Sequence, residues 1–291
     1  MQQQDFNAQF PDELQGFPGL RLRAGKASAL VGAQGAQLLS WQGADGRERL
    51  FLSSASDGLR RGDAPDRLAA PIRGGVPVCF PQFSGRGPMI KHGFARGMAW
   101  RLDANDGRSA TLSCSDNALS REHWPHAFHA SVRVALEEDA VTVTLEAHNR
   151  DGTAWAFSCA LHTYLRLDDV RQARLEGLGG VRYQDATDQN REKRQEENML
   201  SIGAEVDRVY MAPPPALQLH EPGLPVLSIS QQGFADTVVW NPGPELARKL
   251  SDFPDDGWLH MLCVEAAHAA APLTLQPGEH WRGSQTLRVL A

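Results

Sequence analysis

Short segments in which apolar and polar residues alternate recur along the chain, and turn-forming residues separate them. Every second residue is apolar in residues 131–136 and again in residues 141–147, and residues 137–140 between them have the composition of a hairpin turn. A period of two is typical of β-strands that bury one face. The pattern therefore predicts an antiparallel all-β fold.

Two segments, residues 189–199 and 244–250, have the composition of short helices. Strands alternating with long amphipathic helices, the pattern of a parallel α/β sheet, do not occur. The sequence also contains no repeat of fixed period and no linker rich in Gly, Ser or Pro. We predict one domain over residues 1–291, a large antiparallel β-sandwich with a few short helices.

Composition narrows the class of protein and its surroundings. The 291 residues include 42% hydrophobic and 22% charged residues, with 27 Gly and 18 Pro, as in a turn-rich globular protein. A net charge of -6 argues against a nucleic-acid partner. Without an apolar stretch of membrane-spanning length or a secretory signal, we expect a cytoplasmic protein, with its four scattered cysteines unpaired and no contact with a membrane.

Positive charge and hydrogen-bond donors concentrate in a stretch rich in Gly and Pro, at Arg73, Lys91, His92 and Arg96. Glycines beside a strand allow a backbone or a ligand to approach closely. In an acidic protein, such a cluster suits one small anion, because guanidinium groups bind phosphate oxygens in a fork. The alternative is that Arg73 and Arg96 form ordinary salt bridges.

Two titratable residues fall in predicted strands. In residues 155–162, alternation places His162 on a face of small residues, where a sugar could lie. Glu265 is the charged residue of the apolar run 261–267, and a carboxylate buried without partners has a raised pKa, as acids at functional sites often do. The alternatives are a hydrogen-bonded structural histidine and a structural ion pair.

A spacing of three between His123, His126 and His129 invites a metal hypothesis. Pro125 breaks any helix that would align these histidines on one face. No carboxylate follows at the spacing of a zinc protease helix. We therefore expect solvated or packing roles for them and no metal.

Taken together, these segments resemble the aldose 1-epimerase superfamily, and within it the hexose-6-phosphate mutarotase branch. The resemblance runs from about Leu22 to Val289. It rests on an ordered series of motifs, residues 73–77, 92–96, 161–164, 207–210, 239–242, 251–253 and 263–265.

The resemblance implies a galactose mutarotase-like β-sandwich with a sugar on its concave face. It implies that His162 is the general acid that protonates the ring oxygen and that Glu265 is the general base at the C1 hydroxyl. We expect the two groups on facing sides of the sugar. The substrate-binding residues that it implies are His92 for the sugar, Arg73 and Arg96 for a phosphate, Asp207 for sugar hydroxyls, and Lys91 and Gln82. The expected partner is a small hexose phosphate, no cofactor is needed, and we expect a monomer.

Three hypotheses about function follow. The first is a mutarotase that interconverts the α and β anomers of a hexose 6-phosphate. The second is a carbohydrate-binding or regulatory module that performs no chemistry on the same fold, and the third is a metal-dependent enzyme of cupin type. The presence of both His162 and Glu265 favours the first, because binding alone needs neither a proton donor nor a proton acceptor.

Overall fold

A computed structural model describes residues 8–58, 60 and 67–290 of the chain, which fold mainly into β-strands. In chain order the strands are β1 (Asp12–Leu14), β2 (Phe17–Ala24), β3 (Ala27–Gly32), β4 (Leu38–Gln42), β5 (Val78–Cys79), β6 (Arg101–Asn105), β7 (Ser109–Ser115), β8 (Phe128–Leu136), β9 (Ala140–Asn149), β10 (Trp155–Leu161), β11 (Tyr164–Arg166), β12 (Arg174–Glu176), β13 (Arg182–Asp185), β14 (Arg191–Arg194), β15 (Met199–Ser201), β16 (Val206–Met211), β17 (Ala216–His220), β18 (Leu227–Gln232), β19 (Asp236–Asn241), β20 (Met261–Leu275) and β21 (His280–Val289). Short helices lie between them, α1 (Ala118–His123), α2 (Gly243–Ala247) and 3-10 segments at Ala95–Gly97, Ala186–Asp188 and Gly257–His260.

The strands form three antiparallel sheets. The first contains β1 to β4 in sequence order, and the second is an eight-stranded sheet with the order β14-β13-β16-β19-β20-β10-β5, to which β11 adds by pairing with β20. The third is a nine-stranded sheet with the order β15-β12-β17-β18-β21-β9-β8-β7-β6. The prediction of an all-β fold with antiparallel sheets is therefore confirmed.

One large hydrophobic cluster draws residues from every sheet. Leu22 from β2, Val143 from β9 and Leu262 from β20 all belong to it and are buried. A shared core of this kind is what a single domain requires. No helix among the described residues has the length and apolar composition needed to cross a membrane.

The predicted hairpin in the middle of the chain is confirmed. Strands β8 and β9 pair in antiparallel register from Phe128 opposite Asn149 to Leu136 opposite Val141. The alternate apolar residues of both strands are buried in the large cluster. The period of two that is visible in the sequence therefore reports the buried face of the nine-stranded sheet.

The helix predicted for residues 189–199 is wrong. This segment instead contains strand β14, which pairs with β13, and the first residue of β15. Gln189 and Asn190 adopt left-handed conformations, with φ of 55° and 57°, and turn the chain back on β13. The segment is rich in helix-forming residues, but it lacks the stripe of apolar side chains that would hold a helix against the core.

The other predicted helix, over residues 244–250, is confirmed in position as α2, which begins at Gly243 and ends at Ala247. Helix α2 precedes the loop that carries Asp252, and Leu246 and Leu250 contribute to the wall of the cavity described below. The helix therefore helps to shape the candidate site.

Candidate active site

His162 and Glu265 lie side by side on one face of the eight-stranded sheet. In the pairing of β10 with β20, Leu161 lies opposite Ala266, so His162 follows one partner and Glu265 precedes the other. On β20, Leu262 and Val264 belong to the large core cluster, whereas Glu265 faces a cavity on the opposite side of the sheet. The side chains separated by 103 positions in sequence thus meet because their two strands pair.

The two groups are close but poorly bonded. Nδ1 of His162 lies 3.4 Å from Oε1 of Glu265, and the side chains are 8% and 1% exposed. Within the described part of the chain, neither Nδ1 of His162 nor Oε2 of Glu265 has a hydrogen-bond partner. We had expected the two groups on facing sides of a sugar, and the structure instead places both on one wall.

Burial favours the neutral forms of both groups. Desolvation, and then the charge of Asp207, raise the pKa of Glu265 well above its ordinary value. Desolvation, and then the charges of Arg96 and Arg73, lower the pKa of His162 well below its ordinary value. In these neutral forms the pair holds one titratable proton, on the carboxyl group of Glu265.

His92 lies beside this pair in a strained backbone conformation, with φ of 68°. Its ring is 5.2 Å from that of His162, and its Nδ1 accepts a hydrogen bond from the backbone N–H of Ser84 at 3.3 Å. Burial, followed by the charge of His162, lowers the pKa of His92 well below its ordinary value. The neutral ring therefore carries its proton on Nε2, which can donate a hydrogen bond.

Arg73 is held at the cavity by the glycines that follow it. A Cβ at Gly74 would lie 2.3 Å from the carbonyl oxygen of Phe51, and a Cβ at Gly75 would lie 2.1 Å from that of Leu38. Only glycine permits such close approach of two backbones. The expectation that these glycines serve a close approach is thus confirmed, and the approach is to backbone.

The guanidinium of Arg73 is already partly paired. Its Nε lies 2.9 Å from Oδ1 of Asp252, and its Nη1 donates to the hydroxyl of Tyr164 at 3.3 Å. The ring of Trp240 lies 5.9 Å from the guanidinium carbon. Arg73 therefore forms the salt bridge of the alternative hypothesis and also lines the cavity, and its binding of an anion stays a prediction.

Lys91 and Arg96 extend the positive charge along the same wall. Arg96 donates a hydrogen bond from Nη2 to the carbonyl oxygen of Lys91 at 2.9 Å. Its Nε is buried and finds no hydrogen-bond acceptor among the described residues. The Lys91 residue is exposed at the rim of the cavity. These two side chains retain donors for an anion.

Asp207 lies on β16 of the same sheet as Glu265, where it pairs in register with Trp240 of β19, and it lines the same cavity. Burial raises its pKa above the ordinary value. The cavity that all of these residues line has a volume of about 400 Å³, enough for one sugar-sized ligand. A carboxyl group on that wall can bind sugar hydroxyls.

Gln82 and the group of three spaced histidines, which the sequence singled out, do not line the cavity among the described residues. Gln82 is absent from the described residues that line the cavity, and its amide holds the following loop through the carbonyl oxygens of Ser84 and Met89. Its position does not support direct contact with a sugar. The three spaced histidines have separate surroundings: His123 stacks on Phe94, His126 bonds to Asp151, and His129 bonds to Ser115.

Arg86 lies in the loop between Gln82 and Lys91 and lines the cavity, although no sequence pattern singles it out. Its Nη1 donates to the side chain of Gln184 at 2.7 Å, and its Nη2 donates to Asn190 at 3.2 Å. Arg86 thereby ties the loop to the β13–β14 hairpin. The local sequence gives no spacing that distinguishes it from a solvated arginine.

Three side chains at the pair have atoms of the types that ligate metal ions. The ligand atoms of His162, Cys263 and Glu265 all lie within 4.8 Å of one another, and all three residues are buried. Their nitrogen, sulfur and oxygen atoms are those that Zn²⁺ prefers.

The sequence matches the model of one enzyme family and resembles several curated proteins. Residues 18–288 match the model of the aldose 1-epimerase family. The chain is 34% identical over 264 residues to a "Putative glucose-6-phosphate 1-epimerase" of Cenchrus ciliaris, covering 86% of this chain and 77% of the relative. It is 31% identical over 278 residues to the Escherichia coli protein of the same name, covering 91% of this chain and 87% of that one.

A solved structure agrees with these sequence matches. The crystal structure described as "a putative mutarotase (YeaD) from Salmonella typhimurium" superposes with a TM-score of 0.82 at 29% identity, over 95% of this chain and 92% of the other. The fold is that of a mutarotase-like isomerase. The chain belongs to the aldose 1-epimerase family.

Proposed function

We propose that this protein interconverts the α and β anomers of a hexose 6-phosphate and that glucose 6-phosphate is its substrate. The observation that carries the proposal is the composition of one cavity, in which the His162–Glu265 pair lies beneath a cationic wall. Four cationic side chains line this cavity, Arg73, Arg86, Lys91 and Arg96, against the carboxyl groups of Asp207 and Glu265. In a chain of net charge -6, this local excess favours an anionic sugar.

The reaction needs one proton acceptor and one proton donor. Transfer of the pair's proton from Glu265 to His162 gives the reactive form of the pair. The carboxylate of Glu265 then takes the proton of the C1 hydroxyl while protonated His162 gives its proton to the ring oxygen, and the bond between C1 and that oxygen breaks. The resulting aldehyde rotates about the C1–C2 bond, and the same transfers in reverse close the ring as the other anomer. Each proton transfer is worth about 10² to 10⁴ in rate.

The side-by-side arrangement suits this chemistry. The hydroxyl oxygen and the ring oxygen of a pyranose are both bonded to C1, so two catalytic groups that serve them must also be neighbours. Oε2 of Glu265, which lacks a partner among the described residues, is available to a sugar hydroxyl. Because the pair shares one proton, loss of that proton or gain of a second stops the reaction, and we expect a bell-shaped pH profile.

The proposal is tested by exchange NMR of anomer interconversion, with glucose 6-phosphate, glucose and galactose compared in the same protein preparation. We expect a higher kcat/KM for the phosphorylated sugar. In Arg73→Ala this preference should fall about 10- to 100-fold, since a hydrogen bond to a charged group contributes about 1.5–3 kcal/mol. The ratio between substrates is insensitive to loss of folded protein.

Arg288→Ala is the matched control, because Arg288 pairs with Glu137 and Asp139 on the nine-stranded sheet and does not line the cavity. It should leave the preference unchanged. Equal turnover of glucose and glucose 6-phosphate by the unmodified protein would contradict the assignment of the phosphate. Binding of sugar without any exchange would favour the non-catalytic module.

A further inference from the structure

Cys263 has no role in the proposed reaction, although it lies directly beside the catalytic pair. It precedes Glu265 by two positions on β20, so the two side chains project from the same face of the strand. Its thiol is buried in a small cluster with Phe51, Tyr164 and Met261. The sulfur atom therefore borders the floor of the cavity without being part of its exposed lining.

The three neighbouring ligand atoms approach the geometry of a zinc site. Zinc bonds of about 2.0–2.3 Å in a tetrahedron place ligand atoms about 3.3 to 3.6 Å apart. Nδ1 of His162 and Oε1 of Glu265 are 3.4 Å apart, and the thiol of Cys263 completes a triangle whose sides do not exceed 4.8 Å. Small side-chain rotations would bring the sulfur into range.

The pair also has two buried polar atoms that can bind a ligand. Nδ1 of His162 and Oε2 of Glu265 are buried and have no hydrogen-bond partner in the described portion of the chain. Buried polar atoms normally have a partner, because desolvation without one costs about 1–3 kcal/mol. Both residues line the cavity, so an ion can enter and keep a fourth position open toward solvent.

We propose that His162, Glu265 and Cys263 form a binding site for a thiophilic divalent cation such as Zn²⁺ or Cd²⁺ and that the bound ion inhibits the enzyme. The ion replaces the thiol proton of Cys263 and any proton shared by His162 and Glu265, and these protons pass to solvent. No oxidation or reduction is involved. Inhibition rests on the proposed function, because the ion occupies the atoms that transfer protons, whereas binding does not depend on it.

Binding is tested without any sugar, by titrating the purified protein with Cd²⁺ and following the ultraviolet absorption of the cadmium–thiolate bond. We expect one Cd²⁺ per chain with thiolate absorption in the unmodified protein and none in Cys263→Ala. The matched control is Cys114→Ala, because Cys114 is buried on β7 of the other large sheet. This variant should bind like the unmodified protein.

Cys79 is the other cysteine that could bind Cd²⁺ near the cavity, because its sulfur lies 3.2 Å from Nδ1 of His92. Retention of the absorption in Cys263→Ala, or its loss in Cys79→Ala, would overturn the proposal. Glu265→Gln should weaken Cd²⁺ binding while leaving the thiol in place, which distinguishes a three-residue site from a simple thiol adduct. Unchanged Cd²⁺ affinity in Glu265→Gln would also contradict the site.

Inhibition is tested by adding Zn²⁺ to the anomer-exchange assay. Cys263→Ala should keep its basal turnover and need about 100-fold more Zn²⁺ for half inhibition, since even the partner of a zinc ligand contributes about 10- to 100-fold. Equal sensitivity of both proteins would refute inhibition through this site. Cd²⁺ binding in a protein that turns over no hexose phosphate would refute the proposed function and leave the metal site standing.

Discussion

Two histidine–glutamate pairs among the described residues have opposite surroundings. On the nine-stranded sheet, Nε2 of His220 lies 2.9 Å from Oε2 of Glu176, and the side chains are 31% and 35% exposed. On the eight-stranded sheet, His162 and Glu265 are farther apart, at 3.4 Å, and almost fully buried. The pair with the shorter contact, His220 with Glu176, is therefore the one less suited to catalysis.

The two pairs differ because water reaches the exposed pair and is largely excluded from the buried one. An exposed ion pair contributes about 0–1 kcal/mol to stability, because solvent screens the charges and satisfies their free atoms. A buried pair with unpartnered atoms keeps a cost that a polar ligand can relieve. Incomplete bonding beside a cavity, more than the presence of the two residue types, marks the candidate active site.

The largest expected effect is loss of turnover in Glu265→Gln. The amide cannot accept the proton of the C1 hydroxyl, so kcat should fall about 10²- to 10⁴-fold while the binding of sugar phosphate persists. Glu176→Gln makes the same chemical change in the exposed pair and should leave kcat unaltered. Exchange NMR measures both, and near-normal turnover in Glu265→Gln would remove the distinction between the two pairs.

A smaller effect, on KM, is expected at Arg86, the cavity residue that no sequence pattern singles out. Arg86→Ala removes the hydrogen bonds that tie its loop to Gln184 and Asn190, so KM for the sugar phosphate should rise about 3- to 10-fold with kcat little changed. Arg191→Ala is the control on the same hairpin, since Arg191 is exposed and pairs with Asp188. Equal KM values for both variants would show that Arg86 has no positioning role.

The smallest effect concerns stability and its dependence on pH. Because the pKa of Glu265 is higher in the folded protein than in the unfolded chain, the folded state binds more protons between about pH 4.5 and its own pKa. The free energy of unfolding therefore decreases as pH rises through the folded pKa, and Glu265→Gln lacks this decrease. The Tm of Glu265→Gln should therefore increase relative to the Tm of the unmodified protein as pH rises.

His162 has the opposite sign. Its pKa is lowered in the folded protein, so its contribution to stability is present above about pH 6.5 and is lost as pH falls. Thermal unfolding of Glu265→Gln, His162→Asn and Glu176→Gln over a range of pH separates the two contributions. Parallel Tm curves for Glu265→Gln and the unmodified protein would contradict the raised pKa of Glu265.

Sequence patterns predicted most of the fold because burial on one face of a strand leaves a period of two. This holds for β8 and β9, where alternate apolar residues are buried. It fails for β14, an edge strand whose charged residues resemble those of an exposed helix. Its strand conformation depends on the left-handed turn at Gln189 and Asn190 and on pairing with β13.

The sequence by itself determined the residue types of the candidate site, because motif resemblance and the isolated charge of Glu265 point to them without coordinates. Only the tertiary structure decided which of those residues meet. The pairing of β10 with β20 brings His162 beside Glu265, whereas Gln82 is directed into its own loop and Arg86 into the cavity. The physical reason is that burial and missing partners depend on strand register, which local sequence does not encode.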